Sequence, residues 1–213
     1  MKKCIVFDVD RTIVDSFLPE MLSLKEAIEN VTDRHITESE MRKITSLTTS
    51  EFYNYLNFSN DEIKKINKEW EKTFSNYQTK CFPNIKDVIK KISVDYVICI
   101  ITSRTLEEFH ELDDELNDVI DCFKIVITSD LINNPKPSRD SIDYLCDELQ
   151  LVPEELIYIG DSIIDKAFSK NCNIDFIPAC WENHELENED NACFTSEEII
   201  NKIDLLNNKN IYE

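Results

Sequence analysis

Lys3-Cys4-Ile5-Val6-Phe7-Asp8-Val9-Asp10 begins with an apolar run rich in β-branched side chains and closes on two carboxylates. Lys3 to Val9 reads as a short buried strand. Beyond Pro83, similar apolar runs recur, each separated from the next by a segment whose apolar residues fall at helical spacing. The pattern predicts helix 84–92 before strand 95–101, helix 105–118 before strand 124–128, and helix 138–150 before strand 156–160. Helix 163–171 and a strand near 175–179 follow, and a last helix is expected from Thr195 to Leu206, capped by Thr195 and Glu198. Apolar strands alternating with helices predict an α/β fold with a doubly wound, parallel, Rossmann-like sheet.

Residues 16–80 differ. They offer no convincing strand, and Leu18, Met21, Leu22, Leu24 and Ile28 recur at helical spacing. Thr37-Glu38-Ser39-Glu40 reads as a capping box and Ser59 to Phe74 as a long polar helix. The expected organisation is therefore a core of residues 1–15 and 81–213, with an all-helical insertion of about four helices, 16–80, after the first strand.

Composition narrows the function. One glycine in 213 residues excludes collagen-like, Gly-rich linker and Walker-type chains, which need several at set spacings. The net charge of −20 is uneven: residues 16–80 hold 9 basic and 11 acidic side chains, residues 81–213 hold 11 and 29. Such a field repels nucleic acid and anionic membrane surfaces and attracts divalent cations. No window reaches 18 apolar residues, so neither a signal peptide nor a membrane span is expected. The eight cysteines form no C-x-x-C pair, which points to reduced, buried thiols and a cytoplasmic location. A zinc site from Cys172, Cys180, His184 and Cys193 is disfavoured because the spacing fits no standard pattern.

Ligands of doubly wound sheets bind beyond the carboxyl ends of the strands, so the residues after each predicted strand carry the functional reading. They are Asp8 and Asp10 after the first, then Thr102, Ser103 and Arg104. Lys136 comes after the strand at 124–128, and Gly160, Asp161 and Asp165 after the strand at 156–160. Asp8 and Asp10, at i and i+2, can leave one face and share a pocket, which suits a nucleophile or metal ligand beside a general acid. Two solvated acids ending a strand would look the same. Asp161 and Asp165, at i and i+4 across a helix start, can face one cation or simply cap the helix. Lys136 lies between two prolines, on a stiffened loop. Acids with Mg²⁺ on one side and lysine and threonine donors on the other would clamp a phosphoryl group.

At these residues the chain resembles the haloacid dehalogenase-like hydrolases. Phe7-Asp8-Val9-Asp10-Arg11-Thr12-Ile13-Val14-Asp15-Ser16 is similar to that family's first motif, D-x-D-G-T-[LI]-x-D-S. Ile100-Ile101-Thr102 is similar to the second, Lys136-Pro137 to the third, and Gly160-Asp161-Ser162-Ile163-Ile164-Asp165 to the fourth, G-D-S-x-x-D. The resemblance implies that Asp8 is the nucleophile that becomes an aspartyl-phosphate, and that Asp10 is the acid–base. Thr102, with Ser103, and Lys136 would hold the phosphoryl oxygens. Asp8, Asp10 through its carbonyl, Asp161 and Asp165 would make the Mg²⁺ site. Asp10 favours phosphoryl transfer over dehalogenation, and the insertion is similar to the cap of the phosphoglycolate phosphatase-like branch. The implied partner is a small phosphorylated metabolite. Phosphomutase and pyrophosphatase activities stay open on the same fold, as does a catalytically silent, partner-binding role. Oligomeric state is left open.

Departures from the family pattern give further expectations. Arg11 stands where the family has glycine, and either reaches the substrate phosphate or points to solvent. Asn84 and Asn173 stand where relatives often have glycine, and asparagine tolerates left-handed backbone best among the other residues. Asp15 and Ser16 read either as a hinge into the insertion or as a plain helix cap. His35 and His110 read as surface helix residues rather than bases. Gly160, the single glycine, is expected where a side chain would crowd the metal and phosphate.

Overall fold

The computed structural model describes residues 1–37, 39–41, 55–74 and 76–209. They form two compact units, Met1–Asp15 with Lys80–Glu213, and Ser16–Thr79. In chain order the elements are β1 (Cys4–Phe7), β2 (Val14–Asp15), α1 (Phe17–Val31), α2 (Asn60–Phe74), β3 (Lys80–Cys81), α3 (Ile85–Ile92) and β4 (Val97–Ile101). There follow α4 (Leu106–His110), α5 (Asp113–Leu116), β5 (Phe123–Ile127), α6 (Asp140–Leu149), β6 (Leu156–Gly160), α7 (Ile163–Cys172), β7 (Asp175–Pro178) and α8 (Glu198–Lys209).

In the first unit, five strands pair in the order β5-β4-β1-β6-β7, all parallel. Strand residues alternate between the two faces. Ile5 and Phe7 join Ile98, Ile100, Ile157 and Ile159 in a core closed by α3, α5 and α8. Cys4 and Val6 join Cys99, Ile101, Leu156 and Tyr158 beneath α6 and α7. Both faces are thus covered by helices, which is why the strands read as unbroken apolar runs rather than alternating ones. From β1 the chain moves to β4 and β5 on one side, then crosses to β6 and β7 on the other. The crevice between the carboxyl ends of β1 and β6 is therefore the switch point at which such sheets bind ligands.

Several boundaries differ from expectation for local reasons. The strand expected at 95–101 begins at Val97, because the N–H groups of Asp95 and Tyr96 turn back to the Ile92 carbonyl, each at 3.1 Å. The helix expected at 105–118 is two short helices, broken where the Leu112 N–H bonds the Phe109 carbonyl at 3.0 Å. The break gives Asp113, Asp114 and Glu115 a fresh helix N-terminus, where acids are favoured. The last helix starts at Glu198, whose carboxylate accepts from the Phe194 N–H at 2.8 Å instead of pairing with Thr195. The β2–β3 ladder, Val14 with Cys81 and Asp15 with Lys80, is too short to show a periodicity.

In the second unit, Met21, Leu24, Ala27 and Ile28 of α1 pack with Ile66 of α2, Ile36, Met41 and Leu56. The Trp70 indole donates to the Ser23 hydroxyl, and the Thr73 hydroxyl to the Ser23 carbonyl, each at 2.9 Å. Ser59 and Glu62 cap α2 reciprocally, and Thr37 and Glu40 form the expected box. Of the further helices expected, residues 39–41 and 55–56 are helical, and 42–54 lie outside the described residues, as does Glu38. Ser16 precedes α1 without a side-chain capping bond. His35 and His110 are exposed, His35 outside any helix. All eight cysteines are free thiols, but Cys81, Cys122 and Cys146 are only half-buried, and the sulfurs of Cys4 and Cys99 lie 3.9 Å apart rather than singly. Among the described residues, no helix is long and apolar enough to cross a membrane.

Asn84 and Asn173 adopt left-handed backbone, with φ of 61° and 56°. Asn57, Gln150 and Arg11 do so too. Gly160 does not need its freedom for φ; it needs it for space. A Cβ there would meet the Asp165 side chain at 2.6–2.8 Å, which by itself excludes a larger residue. Gly160→Ala is expected to lower stability by roughly 1–3 kcal/mol, as overpacking does. Asn84→Gly and Asn173→Gly should stay within about 1 kcal/mol of wild type. Denaturant titration checks this, and equal losses at all three positions would contradict it.

Candidate active site

Asp8 directly follows β1, and its N–H donates to the Ile159 carbonyl at 2.9 Å, which fixes the carboxylate at the crevice between β1 and β6. β6 ends in Gly160, placing Asp161 beside it, and α7 begins at Ser162-Ile163, placing Asp165 one turn in. The Ser162 hydroxyl and N–H donate to Asp165 Oδ2 at 2.6 and 3.1 Å, while the Asp165 N–H donates to the Ser162 hydroxyl at 3.2 Å. Asp165 thus caps α7 through Oδ2, which leaves its Oδ1 to face Lys136.

Lys136 joins these pieces. From the loop after β5, its ammonium donates to Asp8 Oδ1 at 2.6 Å, Asp165 Oδ1 at 2.8 Å and the Tyr158 hydroxyl at 2.8 Å. The Tyr158 hydroxyl donates in turn to Asp165 Oδ1 at 3.0 Å. The three side chains are nearly dry, with relative exposures of 5% for Lys136, 8% for Asp8 and 3% for Asp165. Burial works against the Lys136 charge, but Asp8 and Asp165 outweigh it and hold its pKa above the ordinary lysine value. Burial pushes the Asp8 carboxyl well above the usual carboxylate range, with Lys136 opposing.

Asp161 completes the cluster. One carboxylate oxygen each from Asp8, Asp161 and Asp165 lies within 4.8 Å of the others, all three residues being buried. Three carboxylates facing one ammonium leave an excess of buried negative charge, and the hard oxygen donors suit Mg²⁺. The residues therefore fit the metal that the sequence led us to expect. Burial raises the Asp161 pKa to about 6, while Arg11 and Asn183 pull it down. Among the described residues this is the only group of histidine, cysteine and acidic side chains that converges in this way; Cys172, Cys180, His184 and Cys193 do not.

The remaining expected residues lie around this centre. The Asp10 carboxylate stands outside the three-acid group and is gripped by Arg104, with Nε at 2.9 Å from Oδ2 and Nη2 at 2.6 Å from Oδ1. Thr102 is buried, its N–H on the Ile127 carbonyl at 3.0 Å and its hydroxyl accepting from the Arg104 N–H at 3.1 Å. Ser103 is exposed. Arg11 does not simply point to solvent: it turns to Glu182 at 2.9 Å and to Asp161 at 3.4 Å. The Arg104 charge is engaged by Asp10.

Sequence reading missed Tyr158, Glu182 and Asn183. Tyr158 carried a signal, being a hydroxyl two residues before Gly160 on a strand that points at the site. Glu182 and Asn183 lie in an irregular segment beyond β7 where no periodicity aims a side chain. The Asn183 amide donates to the Asp161 carbonyl oxygen at 3.2 Å and to its Oδ2 at 3.1 Å.

Comparison with known proteins fits this architecture. The family model of haloacid dehalogenase-like hydrolase matches residues 5–179. The chain is 23% identical to the candidate pyrophosphatase PpaX of Clostridium perfringens, over 97% of this chain and 100% of that protein. It shares its fold with a predicted phosphoglycolate phosphatase from Haemophilus somnus, at a TM-score of 0.77 and 17% identity over 94% of this chain and 97% of the other. A candidate beta-phosphoglucomutase from Thermotoga maritima gives a TM-score of 0.75 and 20% identity over 95% and 98%.

A pH effect follows from Asp161. Its folded pKa, about 6, exceeds the ordinary 3.8, so the folded state binds this proton more tightly than the unfolded chain does. The associated stability is present below the unfolded pKa and is lost as pH rises through about 6. In chelator-treated protein, the melting temperature is expected to rise as pH falls from 7 to 5, and Asp161→Asn should flatten that rise. A wild-type melting temperature that falls over the same interval would contradict the assignment.

Proposed function

The chain belongs to the haloacid dehalogenase-like hydrolases, and from that membership we propose a Mg²⁺-dependent phosphatase that hydrolyses a small phosphomonoester through an aspartyl-phosphate on Asp8. The observation that supports it most is the Asp8 carboxylate, fixed at the switch point, 2.6 Å from a buried lysine and grouped with Asp161 and Asp165.

Asp8 attacks phosphorus with one carboxylate oxygen, and the bond from phosphorus to the ester oxygen breaks. The Asp10 carboxyl gives its proton to the departing oxygen, leaving an alcohol. Water then attacks the phosphorus of the aspartyl-phosphate while the Asp10 carboxylate takes its proton. The bond from phosphorus to the Asp8 oxygen breaks, releasing inorganic phosphate and restoring both acids. Lys136 favours the charged form of Asp8 against its burial and binds a phosphoryl oxygen, and Thr102 supplies a further donor. Arg104 must loosen its hold on Asp10 for the proton transfers, since both Asp10 oxygens are engaged by the guanidinium. Asp8, Asp161, Asp165 and the Asp10 carbonyl would hold Mg²⁺, which when bound neutralises charge on the phosphoryl group.

The Ser16–Thr79 unit is proposed to serve as a cap that excludes water during turnover. A net charge of −20 opposes the approach of an anionic substrate, which Lys136 and the metal would have to draw in at short range. Hydrolysis of pyrophosphate is the second reading, favoured by the full-length similarity to a candidate pyrophosphatase.

The test is p-nitrophenyl phosphate hydrolysis with and without Mg²⁺, followed by a screen of phosphoglycolate, sugar phosphates, nucleotides and pyrophosphate. Turnover should require Mg²⁺ and fall by about a thousandfold or more in Asp8→Asn. Full activity in Asp8→Asn, or no turnover of any of these compounds with metal present, would rule out the mechanism.

A further inference from the structure

Arg11 puts a protein-borne cation on a carboxylate that would hold the metal. Its Nε lies 3.4 Å from Asp161 Oδ2 and 2.9 Å from Glu182 Oε2. We propose that the Arg11 guanidinium is an internal competitor of the divalent cation at Asp161, so that the site fills only at a higher metal concentration than its carboxylates alone would require. The inference rests on the metal site proposed above and deepens it.

The backbone gives no reason for an arginine here. Arg11 has φ of 59°, in a tight loop where its N–H donates to the Val14 carbonyl at 2.7 Å. Glycine or asparagine would adopt that conformation with less strain, and asparagine does so at residues 57, 84 and 173 of this chain. The guanidinium is what arginine adds.

Nor does Asp161 need Arg11 to orient it. Asn183 already grips its carbonyl oxygen and its Oδ2, at 3.2 and 3.1 Å. At that same Oδ2, Arg11 therefore contributes positive charge more than position. Glu182 anchors the guanidinium where it lies, at the margin of the cluster, with the Arg11 side chain 29% exposed. A divalent cation joining Asp8, Asp161 and Asp165 would meet this like charge at close range, on the same Asp161 carboxylate. Taking the guanidinium away removes the cation from that carboxylate, where the Asn183 amide stays, and leaves the Glu182 charge unneutralised beside the site. Both changes favour the metal.

The competition can be read without turnover, by Mn²⁺ binding to the full chain followed by electron paramagnetic resonance of the free ion, with Mg²⁺ calorimetry alongside. Arg11→Gly and Arg11→Asn suit the left-handed backbone and remove the charge; Arg11→Lys keeps the charge. The first two should tighten Mn²⁺ binding about threefold to tenfold, and Arg11→Lys should stay within about twofold of wild type. The gap should narrow at high salt. Melting temperatures of Arg11→Gly and Arg11→Asn no lower than wild type would show that the fold is intact. Unchanged or weaker Mn²⁺ binding in both uncharged variants would overturn the proposal and make Arg11 a positioning residue for Asp161. Asp161→Asn separates the two levels. If wild type binds Mn²⁺ and Asp161→Asn does not, the metal site stands whatever Arg11 does. If wild type itself binds no Mn²⁺, the metal site fails and this inference fails with it.

Discussion

The Lys136 ammonium holds together three parts of the chain that are far apart in sequence: the end of β1 through Asp8, β6 through Tyr158, and the start of α7 through Asp165. All of these groups are buried, and burying charge is tolerable only when it is paired and hydrogen-bonded. The arrangement is reciprocal. Lys136 is kept charged by the acids, and the acids are kept in the crevice by Lys136. It is also incomplete, because Asp161 brings a third carboxylate whose nearby cation, Arg11, is shared with Glu182. The same shortfall of positive charge that makes the empty arrangement costly is what gives a divalent cation a reason to bind.

Two arginines stand close to this cluster, and each is already committed to an acid. Arg104 holds Asp10, and Arg11 spans Glu182 and Asp161. In a chain of net charge −20, this pairing leaves little unspent positive charge around the crevice. On the function proposed, attraction for a phosphorylated compound would come from the floor of the site, from Lys136 and the metal, rather than from its rim. The proposed acid–base residue, Asp10, and one proposed metal ligand, Asp161, are both held by cations.

Much of the fold could be read in advance, and the physical reason is strand burial. Cys4–Phe7, Val97–Ile101 and Leu156–Gly160 are covered on both faces, so they show as apolar runs without interruption. The strand-end rule then brought Asp8, Lys136, Asp161 and Asp165 to one edge, because a parallel sheet puts every carboxyl end on the same side. What escaped was tertiary. The direction of the Arg11 side chain depends on Glu182, which lies 171 residues away on an irregular segment. The grip of Arg104 on Asp10 spans 94 residues and leaves no trace in local pattern. Gly160 was singled out from composition, but the neighbour that demands it, Asp165, follows from how α7 folds back on β6. Asparagine at 84 and 173 was legible because φ is a local property, whereas Gln150 and Arg11 in the same conformation have no side-chain chemistry that announces it.

The central claim is that Asp8 carries the phosphoryl group, and the most direct measurement is capture of that intermediate. The protein with Mg²⁺ would be mixed with a labelled phosphomonoester and quenched in acid within milliseconds, before the aspartyl-phosphate hydrolyses. Peptide mapping by mass spectrometry then locates the label. The account predicts phosphate on the peptide bearing Asp8, at that residue, and none in Asp8→Asn. Turnover of the same substrate with no label on Asp8 at any quench time, or with label on a different side chain, would contradict it.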